Sequence, residues 1–331
     1  MIRSTRLDFR NGGDIRKCGI WGCGRIGSTV AYTLMQTGWF TDMVLIDPHF
    51  QTAECEATDL CHGLPFRRPM DIYAGDFADL ADCGLILIAD AYDAESILSA
   101  PEALPQRVKS LQSVLTNITL YNQNAILLVC CDPSELFASL AQRFSGFPEA
   151  RVIGVGTVLD TARLKQMVGR HLGVDSRNVH TFIIGEHGEN EFPVWSSANI
   201  SGVDLKHFCD SSGKGYEPSM LEALFLDVRD SRTRIVAHKG LGNFAIAEAV
   251  RRIVSAIVHD ESSVLPVSVA ANGHYGLDDV YISLPCIVNR SGIRRVLEIP
   301  LNEDEERLLR RSAETIKKRL EAIGSAVLQF V

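Results

Sequence analysis

Three glycines, Gly22, Gly24 and Gly27, stand in the spacing G-x-G-x-x-G. A short apolar run, Lys17–Trp21, precedes them, and a helical pattern, Ser28–Gln36, begins directly after Gly27. Asp47 follows the next apolar run, Met43–Ile46, 25 residues after Gly22. In this context a glycine loop holds a dinucleotide. Gly22 permits the tight turn, Gly24 lets the backbone approach a pyrophosphate, and Gly27 allows the helix to pack close on the strand. The helix N-terminus then offers free N–H groups and positive potential to the phosphates. Arg25 and Ile26 complete the cofactor-binding loop. Asp47 would accept hydrogen bonds from an adenosine ribose and repel a 2′-phosphate, selecting NAD over NADP. The plainer alternative is a glycine-rich turn that binds nothing.

A second constellation lies further along. Asp160 and Arg163 are three residues apart, so a helix puts both on one face. His187 sits in the glycine-rich segment IGEHGEN, and imidazole binds protons near physiological pH. Taken singly, these read as a solvated loop histidine and a surface ion pair.

The elements that must carry these residues follow from the apolar pattern. In the first half short strands alternate with helices, the sign of a parallel sheet with crossover helices. Leu85–Ile88 and Ile126–Cys130 are continuous apolar runs suited to strands covered on both faces, with helical periodicity over Val108–Leu120 between them. A strand at Arg151–Gly156 closes this half, and a helix over Thr157–Gly169 opens the next. Near the end, Asn302 fits a helix cap before an acidic first turn, an apolar stripe follows, and Gly324 fits the stop. That last helix is assigned packing and no chemistry.

Composition sets outer bounds. The chain has 331 residues, 46% hydrophobic and 22% charged, which suits two soluble globular domains. A net charge of −8 gives no basic footprint for nucleic acid or an anionic membrane. No apolar run is long enough to span a bilayer, and the charged residues of the first 17 positions do not form a secretory signal. Those positions are read as a short arm, unstructured or embracing a subunit. Nine cysteines without a C-x-x-C pair read as reduced, packed thiols in the cytoplasm. No His/Cys cluster has zinc-ligand spacing, so no metal is expected.

With these motifs in order, the chain resembles the lactate/malate dehydrogenase family, and L-lactate dehydrogenases most. The resemblance rests on the cofactor loop, GVGTVLDTAR (154–163) and IGEHGEN (184–190), together with DLCHGLPF (59–66), FPVWS (192–196) and VYISLPCIVNRSGI (280–293). It implies a Rossmann-type doubly wound parallel sheet at 15–153, followed by an α+β catalytic domain at 154–331. It implies NAD as cofactor, a small 2-oxo or 2-hydroxy acid as substrate, and a homodimer or homotetramer. His187 becomes the general acid/base, Asp160 the residue that orients it, and Arg163 the bidentate grip on the substrate carboxylate. In bacterial allosteric members a basic residue and a histidine at the positions of Lys165 and His180 bind a sugar bisphosphate. The two residues are therefore candidates for an anionic effector and equally plain polar surface residues.

The chain also departs from the family pattern. The family's substrate-loop arginine falls on Ala100, and its specificity position on Ala94. The small residues of the turn after the fourth strand become Ala89-Asp90-Ala91. The asparagine that contacts the reacting oxygen becomes Asp132, and a pocket threonine becomes Gly242. No Lys or Arg occurs from Pro69 to Gln106, and Arg107 lies beyond the loop in the next helix. Asp132 and Gly242 remain substrate-binding positions in this reading. The expected activity is an NAD-dependent L-2-hydroxy-acid dehydrogenase, weakened on pyruvate, with room for a larger 2-oxo acid. Lacking a pocket cation, the site is expected not to favour a second carboxylate. The alternative is an inactive NAD-binding homologue with a sensing or interaction role.

Overall fold

The structure is a computed structural model that describes residues 15–89, 104–213 and 215–328. Among the described residues six short strands build the first half: β1 (Lys17–Trp21), β2 (Asp42–Ile46), β3 (Asp71–Ala74), β4 (Leu85–Ile88), β5 (Ile126–Val129) and β6 (Val152–Gly154). They pair in parallel in the order β3-β2-β1-β4-β5-β6. Every residue of β4 and β5 is buried, as continuous apolar runs require of strands covered on both faces. The α-helices among the described residues of this half are α1 (Arg25–Met35), α2 (Phe50–Gly63), α3 (Leu104–Tyr121) and α4 (Ser134–Ser145). The strand order reverses between β1 and β4, and a doubly wound sheet opens its ligand crevice at such a point, beyond the carboxyl ends of the strands.

The second half begins with α5 (Val158–Leu172). Four strands follow it: β7 (Val179–His180), β8 (Ile183–Glu186), β9 (Asn190–Pro193) and β10 (Asn199–Ile200). After β11 (Val203–Asp204) come α6 (Leu205–Ser211), α7 (Pro218–Lys239), α8 (Phe244–Val258), β12 (Ser263–Ala270), β13 (Tyr281–Asn289), β14 (Gly292–Val296) and α9 (Glu303–Leu328). Antiparallel β12, β13, β8 and β9 extend the first sheet, with Ser268 of β12 opposite Gly154 of β6. The two halves thus share one main sheet, while β11, β10 and β7 form a small second one. Among the described residues, no helix is long and apolar enough to cross a membrane.

Several boundaries shift from the sequence pattern for physical reasons. α1 starts at Arg25 because the third glycine lies inside its first turn. β6 is shorter than Arg151–Gly156, since Arg151 ends a 3-10 turn and Gly156 turns left-handed at φ 57°. The stop expected at Gly324 is wrong: α9 runs on to Leu328. A glycine costs a helix interior only about 1 kcal/mol, which the helix-forming residues around it outweigh. At the other end the expected cap forms as a reciprocal box. Asn302 Oδ1 accepts the Glu305 N–H at 2.9 Å and Glu305 accepts the Asn302 N–H at 3.0 Å. Residues 1–14 of the N-terminal arm, Ala94, Ala100 and Asp90-Ala91 lie outside the described residues, and the arm's last position, Lys17, belongs to β1.

Candidate active site

At the switch point, Gly22 takes φ 92°, a conformation glycine adopts without strain. A Cβ on Gly27 would lie 1.8 Å from the Gly22 carbonyl oxygen, so only glycine lets α1 pack against its own entry turn. No side chain caps α1 and no acidic residue lies in its first turn, so its N-terminal N–H groups face an open cavity of roughly 500 Å³. Asp47 borders that cavity. Its carboxylate accepts the Cys23 and His49 N–H groups, each at 2.9 Å, which fixes it at the end of β2. Arg25 also borders the cavity, and its guanidinium donates to the Lys239 carbonyl at 2.9 Å, tying the loop to the end of α7. These residues fit a dinucleotide, with a pyrophosphate on the helix N-terminus and a ribose at Asp47.

The second constellation assembles in the other half. Thr157, fully buried before α5, donates to the Ile183 carbonyl of β8, and the Thr161 hydroxyl accepts the Ile183 N–H at 2.9 Å. These bonds lay the first turn of α5 along β8 and set Asp160 opposite His187. Asp160 is 1% exposed, with one oxygen 2.7 Å from His187 Nδ1 and the other accepting Arg163 Nη1 at 2.8 Å. Arg163 Nε and Nη2 make no hydrogen bond or ion pair among the described residues, which leaves two donors for an incoming carboxylate.

Burial disfavours charge on Asp160, but the charge and hydrogen bond of His187 and the nearby Arg163 outweigh it. They hold its carboxyl well below the usual range. Burial likewise opposes the imidazolium, and the Asp160 carboxylate overcomes it, raising His187 well above an ordinary histidine. The histidine is therefore held as a proton donor.

Four groups in this site were not singled out from the sequence. Glu135 in α4, 1% exposed, accepts the His187 N–H at 3.2 Å and the Ser283 hydroxyl at 2.6 Å. Burial pushes its carboxyl up to about 7 against the pull of His187 and Ser283. Glu191 accepts the Gly188 N–H at 3.0 Å and lies 3.3 Å from His187 Nδ1, and burial raises it too. The fourth group is Arg232 of α7, whose Nη2 meets Asp132 Oδ2 at 2.5 Å. The absence of cations between Pro69 and Gln106 suggested a site without a pocket cation; α7 supplies one from the second half. A faint signal existed for Glu191, four residues beyond His187 on an adjacent strand. None existed for Arg232, which sits in a polar run that reads as a solvated helix face.

Asp132 follows β5, and its carbonyl accepts Arg107 Nη2 at 2.6 Å. Arg107, 6% exposed and stacked 4.6 Å over the Phe137 ring, therefore anchors the Asp132 backbone from behind. Gly242 lies at the α7–α8 junction, where a Cβ would come 3.1 Å from Ile235. Lys165 is partly buried in α5, which lowers its pKa, whereas His180 is exposed on β7. No hydrogen bond or ion pair joins these two among the described residues.

α9 does more than cover the sheet. Ser312 accepts the Glu186 N–H at 2.6 Å, and Arg319 pairs with the Glu186 carboxylate, so this helix holds the residue before His187. Asp160, His187 and Glu191 bring ligand atoms within 4.8 Å of one another, close enough for a cation. Both carboxylates are already engaged, and the fixed charge of Arg163 beside them opposes a metal.

Two family models cover this architecture in succession: lactate/malate dehydrogenase, NAD binding domain, over residues 16–154, and lactate/malate dehydrogenase, alpha/beta C-terminal domain, over 157–327. L-lactate dehydrogenase of Acetivibrio thermocellus is 40% identical over 309 residues, covering 93% of this chain and 98% of that protein. L-lactate dehydrogenase of Priestia megaterium is 40% identical over 303 residues, covering 92% and 95%. Among solved structures, a lactate dehydrogenase enzyme from a Medee basin deep-sea metagenome library superposes with a TM-score of 0.90 at 37% identity, covering 94% of this chain and all of that one.

Proposed function

The chain belongs to the lactate/malate dehydrogenase family, and from that premise we propose that it is an NAD-dependent L-2-hydroxy-acid dehydrogenase whose acid/base is His187. The observation that carries this reading is the His187–Asp160–Arg163 contact set: a proton donor, the carboxylate that orients it, and a cation with two free donors.

The α1 N-terminus and Asp47 would hold NADH, which would supply a hydride to the carbonyl carbon of the 2-oxo acid. Arg163 grips the substrate carboxylate through its free donors, which fixes the carbonyl relative to His187. Asp160 holds Nδ1, so Nε2 gives its proton to the carbonyl oxygen as negative charge develops there. His187 is left neutral, and oxidation of the hydroxy acid returns the proton to it. Glu135 and Glu191 fix the backbone on either side of the imidazole. Lys165 and His180 remain a candidate anionic-effector pair only across a contact between copies.

Turnover on pyruvate is proposed to be weaker than in an enzyme with a loop arginine. Ala100 removes one donor to the developing charge, an effect of roughly 10²–10³ in turnover. The carboxylate at Asp132 costs less than its charge suggests, because Arg232 neutralises it. All nine cysteines are free and most are buried, which supports a reducing cytoplasm. A homodimer or homotetramer is proposed from the family resemblance. The test is NADH fluorescence on binding, followed by NADH oxidation with short, branched and aromatic 2-oxo acids. Turnover on at least one supports the reading; NADH binding with no turnover on any overturns it.

A further inference from the structure

Arg232 and Asp132 are 100 residues apart in the chain and come from different halves, yet their side chains meet at 2.5 Å beside His187. A Cβ on Gly188 would lie 3.1 Å from Arg232 Nη1, so the guanidinium reaches the residue next to the histidine. The two side chains are 36% and 42% exposed, within reach of a solute, whereas the Asp160 side chain is sealed at 2%. Arg107 holds the Asp132 carbonyl, so the carboxylate stays at the mouth of the site.

We propose that Arg232 is a specificity-determining residue and that its pairing with Asp132 sets which charge the substrate side chain can carry. This rests on the dehydrogenase reading above. Arg163 takes the carboxylate next to the carbonyl. The rest of the pocket then presents one positive and one negative charge in contact, a neutral pair that accepts an uncharged side chain. A second carboxylate meets Asp132 as well as Arg232 and gains no net attraction. Neutralising Asp132 frees Arg232 for that second carboxylate. Removing Arg232 leaves Asp132 to repel every anion, dianions most.

The experiment compares kcat/KM for oxaloacetate and for 2-oxobutanoate, four-carbon acids with two carboxylates and one. It uses the wild type, Asp132→Asn, Arg232→Ala and the double variant, each first shown to bind NADH. Arg232→Gln replaces any alanine variant that does not. The diacid-to-monoacid ratio rises about tenfold in Asp132→Asn, equivalent to roughly 1.4 kcal/mol. It falls about tenfold in Arg232→Ala and returns to within about threefold of wild type in the double variant. A general loss of stability moves both substrates together and leaves the ratio alone. A ratio unchanged in both single variants overturns the proposal, as does a double variant that keeps either single effect in full. Should the wild type turn over no 2-oxo acid, the dehydrogenase reading fails by itself. The pair is then read from the affinity of the NADH complex for malonate against oxamate, a dianion against a monoanion, with the same directions expected.

Discussion

Glu135 lies beneath His187: one of its carboxylate oxygens accepts the histidine's backbone N–H at 3.2 Å while the other accepts the Ser283 hydroxyl at 2.6 Å. A buried acid thus joins the His187 turn to β13, and burial raises it from 4.5 to about 7. The folded pKa exceeds the unfolded one, so the folded state binds the proton more tightly. Its contribution to stability is fully present below about 4.5 and is lost as pH rises through about 7. At roughly 1.4 kcal/mol per unit this amounts to on the order of 3 kcal/mol. Glu135→Gln keeps the shape and removes the titration. Denaturant unfolding at pH 5 and pH 8 is expected to show a smaller loss in this variant than in the wild type; equal losses would show that Glu135 does not titrate in this interval.

Asp160 touches both His187 and Arg163, so Asp160→Asn is expected to damage orientation and protonation together. Turnover falls on the order of 10³–10⁴, the range seen when a histidine loses its orienting carboxylate. The imidazole also loses the partner that raises it, so the limb of the kcat/KM profile where reduction fails at high pH moves to lower pH. An unmoved limb would mean that some group other than His187 supplies the proton.

Gly27→Ala places a methyl 1.8 Å from the Gly22 carbonyl and must displace either the loop or α1. NADH affinity is expected to fall by more than about tenfold, since the N–H groups proposed to bind the phosphates move with the helix. A fluorescence titration reads this directly, and wild-type affinity would remove the loop from the cofactor site.

Asp47→Ser takes away the carboxylate proposed to face the ribose. The ratio of NADPH to NADH utilisation is expected to rise by about tenfold or more, because repulsion of a 2′-phosphate disappears. Steady-state kinetics with both cofactors checks it; an unchanged ratio would place the ribose elsewhere.

What was legible in the sequence follows from the range of each interaction. β1 and β4 fall where their apolar runs are, because burial on both faces leaves a local, continuous signature. The glycine loop and the Asp160–Arg163 pair are likewise local, set by turns and by one helical repeat. Glu135, Ser283, Arg232 and Ser312 reach their partners across 52 to 148 residues of chain, and nothing in their own neighbourhoods distinguishes them from packing or surface positions. Asp132 shows the consequence. Read alone it is a misplaced negative charge; in the folded chain it is half of an ion pair. Gly324 shows the reverse error, a local stop signal overridden by the helix around it.

His187 is proposed to donate the proton in an NADH-dependent reduction of a 2-oxo acid. The most direct measurement is NADH oxidation by the wild type and His187→Gln across the 2-oxo acid panel, with NADH affinity measured on both. The wild type is expected to turn over, and the variant to lose on the order of 10³ or more, with NADH affinity kept within about threefold. Turnover retained in His187→Gln would contradict that role.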